Sequence, residues 1–330
     1  MMPRLVFVHG IGGLRDTGRE LAEWTDALAR GMRDAGHPER AARLNAEGAG
    51  GVSLAYYADL FVQPEAQGAG EVAGEGAAEQ ILADLLVELV AALGSEHSGS
   101  TAPRDGAWQR RERILAHASA EAETAGQAQG GMSVLRRALN VATTLMALKP
   151  WRGVAHWATP KLMVRDLAQV SRYLARGESD ASGVTLDARI RRRLHEALGD
   201  EPAVVVAHSL GTVVALEALH GHPERVPLLV TLGSPLSMRT VVRPRLLPQP
   251  PSTPGTVERW LNFWDKDDII AVRPHLERDI VPNASGVGPR SRRTDADGVW
   301  VHSAGKYLAQ AAVAGPVAQA LASAERRTAS

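Results

Sequence analysis

The chain contains no cysteine, no surplus of charge of either sign, and no apolar run long enough to cross a bilayer. The first absence excludes disulfides, thiolate metal sites and a cysteine nucleophile, and accords with a reducing compartment. Lys plus Arg and Asp plus Glu both number 37, so no global positive field draws the protein onto phosphate backbones, and nucleic acid is not an expected partner. The apolar stretch at residues 81–93 is broken by Asp84 and Glu88, and that at 134–148 by Arg136 and Arg137. Near the N-terminus the apolar run at 5–8 is too brief for a secretory signal, so a cytoplasmic location is expected. There is no HExxH motif and no metal-ligand spacing of His and Asp, which argues against a metal centre.

What is present suits a core-forming globular chain: 330 residues, 45% hydrophobic and 22% charged. Three runs, Leu5-Val6-Phe7-Val8, Ala203-Val204-Val205-Val206-Ala207 and Leu228-Leu229-Val230-Thr231-Leu232, are apolar throughout and end at Gly, His or Ser, as strands buried on both faces do. Helical patterns at 20–35, 187–198 and 210–220 lie between them. The alternation predicts an α/β fold with a mostly parallel, doubly wound sheet. Further strands are expected at 52–56, 257–263 and 299–301, and a last helix from 303 to about 324. Residues 62–182 carry helical patterns and Gly- and Ala-rich joints without a convincing strand, which predicts a large helical insertion in a single domain spanning 1–330. Within it, residues 94–106 read as loose. The prolines at 248, 250, 251 and 254 require an extended loop.

A serine hydroxyl needs a base, an orienting acid and donors for a developing oxyanion before it can act as a nucleophile. Ser209 directly follows an apolar strand and precedes a helix starting at Leu210, with small residues, Ala207 and Gly211, where a sharp turn requires them. Ala207-His208-Ser209-Leu210-Gly211 resembles the GxSxG elbow of the α/β-hydrolase superfamily, in its lipase- and esterase-like form, with Ala207 where glycine is usual. Phe7-Val8-His9-Gly10-Ile11-Gly12-Gly13 resembles the family's HGxGG oxyanion segment. The resemblance implies the backbone N–H groups of Ile11 and Leu210 as oxyanion donors. It implies an acid and a base following Ser209 in that order. Asp268, within Asp265-Lys266-Asp267-Asp268-Ile269-Ile270, fits the acid, with Asp265 and Asp267 as competitors. His302, just ahead of the final helix, fits the base, with His275 as second choice. His9 is expected to be structural, His208 to point away from Ser209, and Gly10, Gly12 and Ser234 to lie with these two histidines around the pocket.

The resemblance implies a serine hydrolase acting on a small-molecule or lipid ester through a Ser-His-Asp triad, with no cofactor and no metal. An amidase or thioesterase with the same triad, and a non-catalytic binding protein of this fold, are the competing readings. The insertion is expected to cap the pocket. Its basic, apolar stretch at 134–157 suits peripheral contact with a membrane. Nothing in the sequence specifies an oligomeric state.

Overall fold

A β-branched run without polar alternation is stable as a strand when both of its faces are covered. In the computed structural model, which describes residues 4–46, 51–62, 75–98, 139–143, 159–271, 275–295 and 302–328, the three apolar runs meet that condition. The strands are β1 (Arg4–Val8), β2 (Val52–Ala55), β3 (Ala203–His208), β4 (Leu228–Leu232), β5 (Trp260–Asp265) and β6 (Pro289–Thr294). They form one parallel sheet in the order β2-β1-β3-β4-β5-β6. The chain winds one way from β1 to β2 and the other way from β3 onwards. The reversal leaves a crevice beyond the carboxyl ends of β1 and β3, where open α/β sheets bind ligands.

The helices are α1 (Thr17–Asp34), α2 (Pro38–Ala46), α3 (Glu75–Ser98), α4 (Pro160–Ala175), α5 (Leu186–Leu198), α6 (Leu210–Leu219), α7 (Ala304–Leu308) and α8 (Ala311–Thr328), and residues 139–143 are also helical. Side chains of a strand alternate between faces. Leu5, Phe7, Val204, Val206 and Val230 therefore share one core with α1, α2, α7 and α8. Val6, Val8, Val205, Ala207 and Leu229 share the other with α3, α4, α5 and α6. Asp16 caps α1 by accepting a hydrogen bond from the Arg19 N–H at 2.8 Å, and Thr159 caps α4 through the Leu162 N–H at 3.3 Å.

Several elements depart from the sequence expectations. β6, with the sequence PRSRRT, is not visible as a strand because among the described residues it is the sheet edge: there it pairs with β5 alone and exposes its arginines to water. The strand expected from 257 begins at Trp260, since β4 starts only at Leu228 and Val257 finds just an isolated bridge to Val226. The last helix is two helices, because the Gln310 carbonyl receives the Val313 and Ala314 N–H groups and starts α8 afresh. Residues 94–98, expected to be loose, continue α3. The strand expected at 299–301 and most of the stretch at 134–157 lie outside the described residues.

A buried ion network ties α4, α5 and α6 together. The Glu217 carboxylate on α6 accepts from the Tyr173 hydroxyl at 2.7 Å, from Arg176 at 2.5 Å, from Arg191 at 3.2 Å and from the Leu247 amide at 3.1 Å. Removing the anion leaves the partly buried guanidinium groups of Arg176 and Arg191 to share Asp187, at 3.4 and 2.7 Å, in place of two carboxylates. Glu217→Ala is therefore expected to cost about 3–5 kcal/mol, read as a lower urea midpoint of unfolding.

Candidate active site

Ser209 stands at the turn between β3 and α6 with φ 55° and ψ −127°, a left-handed conformation that a side-chain-bearing residue adopts only at a cost of roughly 1–3 kcal/mol. The turn is held from both sides. The Ser209 N–H donates to the Leu232 carbonyl on β4 at 3.0 Å, and the Ser209 carbonyl accepts from the Thr212 hydroxyl at 2.7 Å. Because Thr212 has a single hydroxyl proton, the 2.8 Å contact between it and Ser234 is donated by Ser234. Ser234 thus braces the turn from behind. Gly211 explains the last small residue of the motif: a Cβ there would stand 2.3 Å from the His9 carbonyl oxygen and 2.6 Å from that of Val8. Only glycine lets the first turn of α6 press against the end of β1, which brings the His9 loop beside Ser209.

His302 precedes α7 and meets Ser209 and Asp268 beyond the carboxyl ends of β3 and β5. Its Nε2 lies 3.0 Å from Ser209 Oγ and its Nδ1 2.9 Å from Asp268 Oδ2. The carboxylate accepts the Nδ1 proton, which leaves Nε2 as an acceptor for the serine hydroxyl. Asp268 also receives the Ile270 N–H at 3.0 Å and the Tyr307 hydroxyl at 2.8 Å. Burial pushes this carboxyl up, but His302, Tyr307 and the Ile270 amide together outweigh burial and hold it below the usual value. Burial and the adjacent Asp268 raise the Tyr307 phenol well above its ordinary range, so it remains a neutral donor.

Asp265 and Asp267 are not brought to His302: the Asp265 carboxylate accepts the Asp267 N–H at 2.8 Å, and Asp267 pairs with Lys266. His275 is exposed and packs on Trp264 with ring centroids 6.1 Å apart. His208 turns its ring against the imidazole of His302, centroid to centroid at 4.6 Å, and sits below Trp24.

Leu210 is the first residue of α6, so its N–H is among the donors that an α-helix leaves without an internal acceptor, at the positive end of the helix dipole. Ile11 lies buried in the loop after β1, and Gly10 abuts the Cβ of Ser209. This loop is clasped by α4. The Gln169 side chain accepts the Gly12 N–H at 3.0 Å and donates to the Gly12 carbonyl at 2.8 Å, satisfying both polar groups of that peptide position. His9 is buried. Its carbonyl accepts the Tyr57 hydroxyl, and its ring lies 3.6 Å from Glu20.

Gln169 and Tyr307 were not legible as site residues. A polar side chain on the apolar stripe of α4, between Met163, Val164, Leu167 and Val170, is the one signal that marks Gln169. Tyr307 carries none beyond its place on a short helix.

Gly233 sits between Asp268 and His302 with φ 53°, and a Cβ there would stand 2.6 Å from Asp268 Oδ2 and 3.1 Å from His302 Nδ1. Gly233→Ala adds backbone strain and forces that pair apart. A misplacement of about 1 Å costs about 100-fold in rate. A fall of that size is expected in any turnover that depends on the Asp268–His302 pair, with far-UV circular dichroism confirming that the variant is folded.

Residues 171–269, which include both Ser209 and Asp268, match the family model for the alpha/beta hydrolase fold. The sheet order and the turn at Ser209 agree with that match. The chain has the α/β-hydrolase fold. Comparison with curated proteins and with solved structures returned no match. The matched segment of this hydrolase fold ends before His302 and begins after the His9 loop, so those parts rest on the geometry above. Among the described residues no group of three or more His, Asp or Glu side chains is arranged to hold a metal ion, and no helix is long and apolar enough to cross a membrane.

Proposed function

We propose that the protein is a serine hydrolase that cleaves carboxylic esters through Ser209, His302 and Asp268. The observation that carries this reading is the continuous chain of hydrogen bonds from Ser209 Oγ through both ring nitrogens of His302 to Asp268. In this reading His302 Nε2 takes the Ser209 proton as Oγ attacks the ester carbonyl. The amides of Ile11 and Leu210 receive the oxyanion of the tetrahedral intermediate, aided by the dipole of α6. The imidazolium then protonates the leaving alkoxide, and water, activated by the same histidine, releases the acyl group from Ser209. Asp268 holds the required tautomer and offsets the charge that His302 gains.

We further propose that residues 62–182, whose helices α3 and α4 also cover one face of the sheet, close over one side of the pocket. The grip of Gln169 on Gly12 supports this, since it couples the end of that stretch to the loop that would bear an oxyanion donor.

A fluorophosphonate probe tests the proposal. The folded protein is expected to be labelled at Ser209 alone, with labelling lost in Ser209→Ala. Absence of label on the folded wild type would favour a non-catalytic binding protein. A series of nitrophenyl esters of increasing acyl length tests the apolar cap, which predicts turnover rising with chain length.

A further inference from the structure

Between the loop after β1, the first turn of α1 and the start of α7 lies a cleft of about 140 Å³, lined among others by Ile11, Arg15, Glu20, His208, His302 and Ser303. It therefore adjoins both the general base and one of the oxyanion donors of the proposed mechanism. Glu20 stands in it almost fully buried, at 3% exposure. One carboxylate oxygen, Oε1, accepts from Arg15 Nη1 at 2.9 Å. The other, Oε2, is buried and has no hydrogen-bond partner among the described residues. A buried carboxylate oxygen without a donor is costly, and such groups are rare outside places where a ligand or water completes them. The positive end of α1 explains an acid in its first turn, but not the burial of that acid in the cleft that His302 also lines.

We infer that Glu20 and Arg15 form a subsite for a hydroxylated leaving group, so that the substrates are esters of a polyol alcohol. The inference rests on the esterase reading above. The leaving oxygen must lie at His302 Nε2 to be protonated, so the alcohol portion of the ester extends along the histidine side of the site, where the cleft opens. Arg15 already offsets the charge of Glu20, so the missing partner need only be a neutral donor. A hydroxyl fits both groups, donating to Glu20 Oε2 and accepting from the half-exposed guanidinium of Arg15. An adjacent second hydroxyl would use the same pair.

The test compares glyceryl monoacetate with propyl acetate, which share an acyl group and an alcohol chain length, and 3-aminopropyl acetate, which adds a cation. Wild type is expected to favour the glyceryl ester by about tenfold or more in kcat/KM, the scale of one hydrogen bond to a charged group. Glu20→Leu is expected to bring that ratio close to one, and Glu20→Gln, which keeps an acceptor oxygen but loses the charge, to lower it part of the way. A structural role for Glu20 would lower both rates together and leave the ratio intact, which would overturn the subsite. Preference for the aminopropyl ester, lost in Glu20→Leu, would overturn the hydroxyl in favour of a cation. A wild type that takes a fluorophosphonate but shows no preference overturns the subsite alone. A folded wild type that takes no probe and turns over none of the esters overturns the hydrolase reading and the subsite with it.

Discussion

Ser209→Ala is expected to lower kcat for a nitrophenyl ester by about 10⁴- to 10⁶-fold, the range seen when a triad nucleophile is removed. Ser209 Oγ is the hydroxyl that meets His302 Nε2, whereas Ser234 is hydrogen-bonded to Thr212 behind the turn. The substitution removes little volume at a buried position, and alanine meets the same left-handed backbone cost as serine. Thermal stability should therefore change by no more than a few degrees while activity collapses. Residual turnover above water would come from the oxyanion donors and from binding. Retention of more than a hundredth of the wild-type kcat by the folded variant would remove Ser209 from the mechanism.

Asp268→Asn is expected to cost about 10⁴-fold in kcat with a smaller change in KM. The carboxylate is an acceptor only, which obliges His302 to carry its proton on Nδ1. An asparagine amide can instead donate to Nδ1, which moves the ring proton to Nε2 and leaves nothing to accept the proton of Ser209. The carboxyl lies below its usual value, so it remains ionised wherever a histidine base is neutral. Tyr307→Phe tests the same group more gently. It removes one of the donors that hold the carboxyl down, and a loss of about tenfold in kcat is expected, in line with one hydrogen bond to a charged group. Steady-state kinetics of the two variants on one ester, alongside wild type, checks both values. Equal and small effects would show that Asp268 is a structural acid.

The legible parts of the fold were those written in local chemistry. β1, β3 and β4 lie close to where their apolar runs predict them, because a strand buried on both faces has no polar positions to disguise it. The helix α5 begins within a residue of its expected start. β6 was hidden for the converse reason: an edge strand is free to carry Arg290, Arg292 and Arg293 towards water. The division of the C-terminal helix was hidden too, since its cause is a carbonyl at Gln310 and not a proline or glycine at that point.

The same distinction runs through the candidate site. Sequence alone determined Ser209 as the residue to examine, because a strand, a turn of small residues and a helix must be consecutive in the chain to build that corner. It also narrowed the partners to a few acids and histidines downstream. Only the tertiary structure shows which of them meet Ser209 in space. Asp268 and His302 are 34 residues apart, and His302 is 93 from Ser209, distances in sequence that no periodicity spans. Gln169, Tyr307, Gly233 and Glu20 act where separate segments meet, so their contacts exist only once the sheet has brought β1, β3, β4 and β5 side by side. A turn is encoded by neighbours in the chain, whereas a hydrogen-bonded constellation is encoded by neighbours in space.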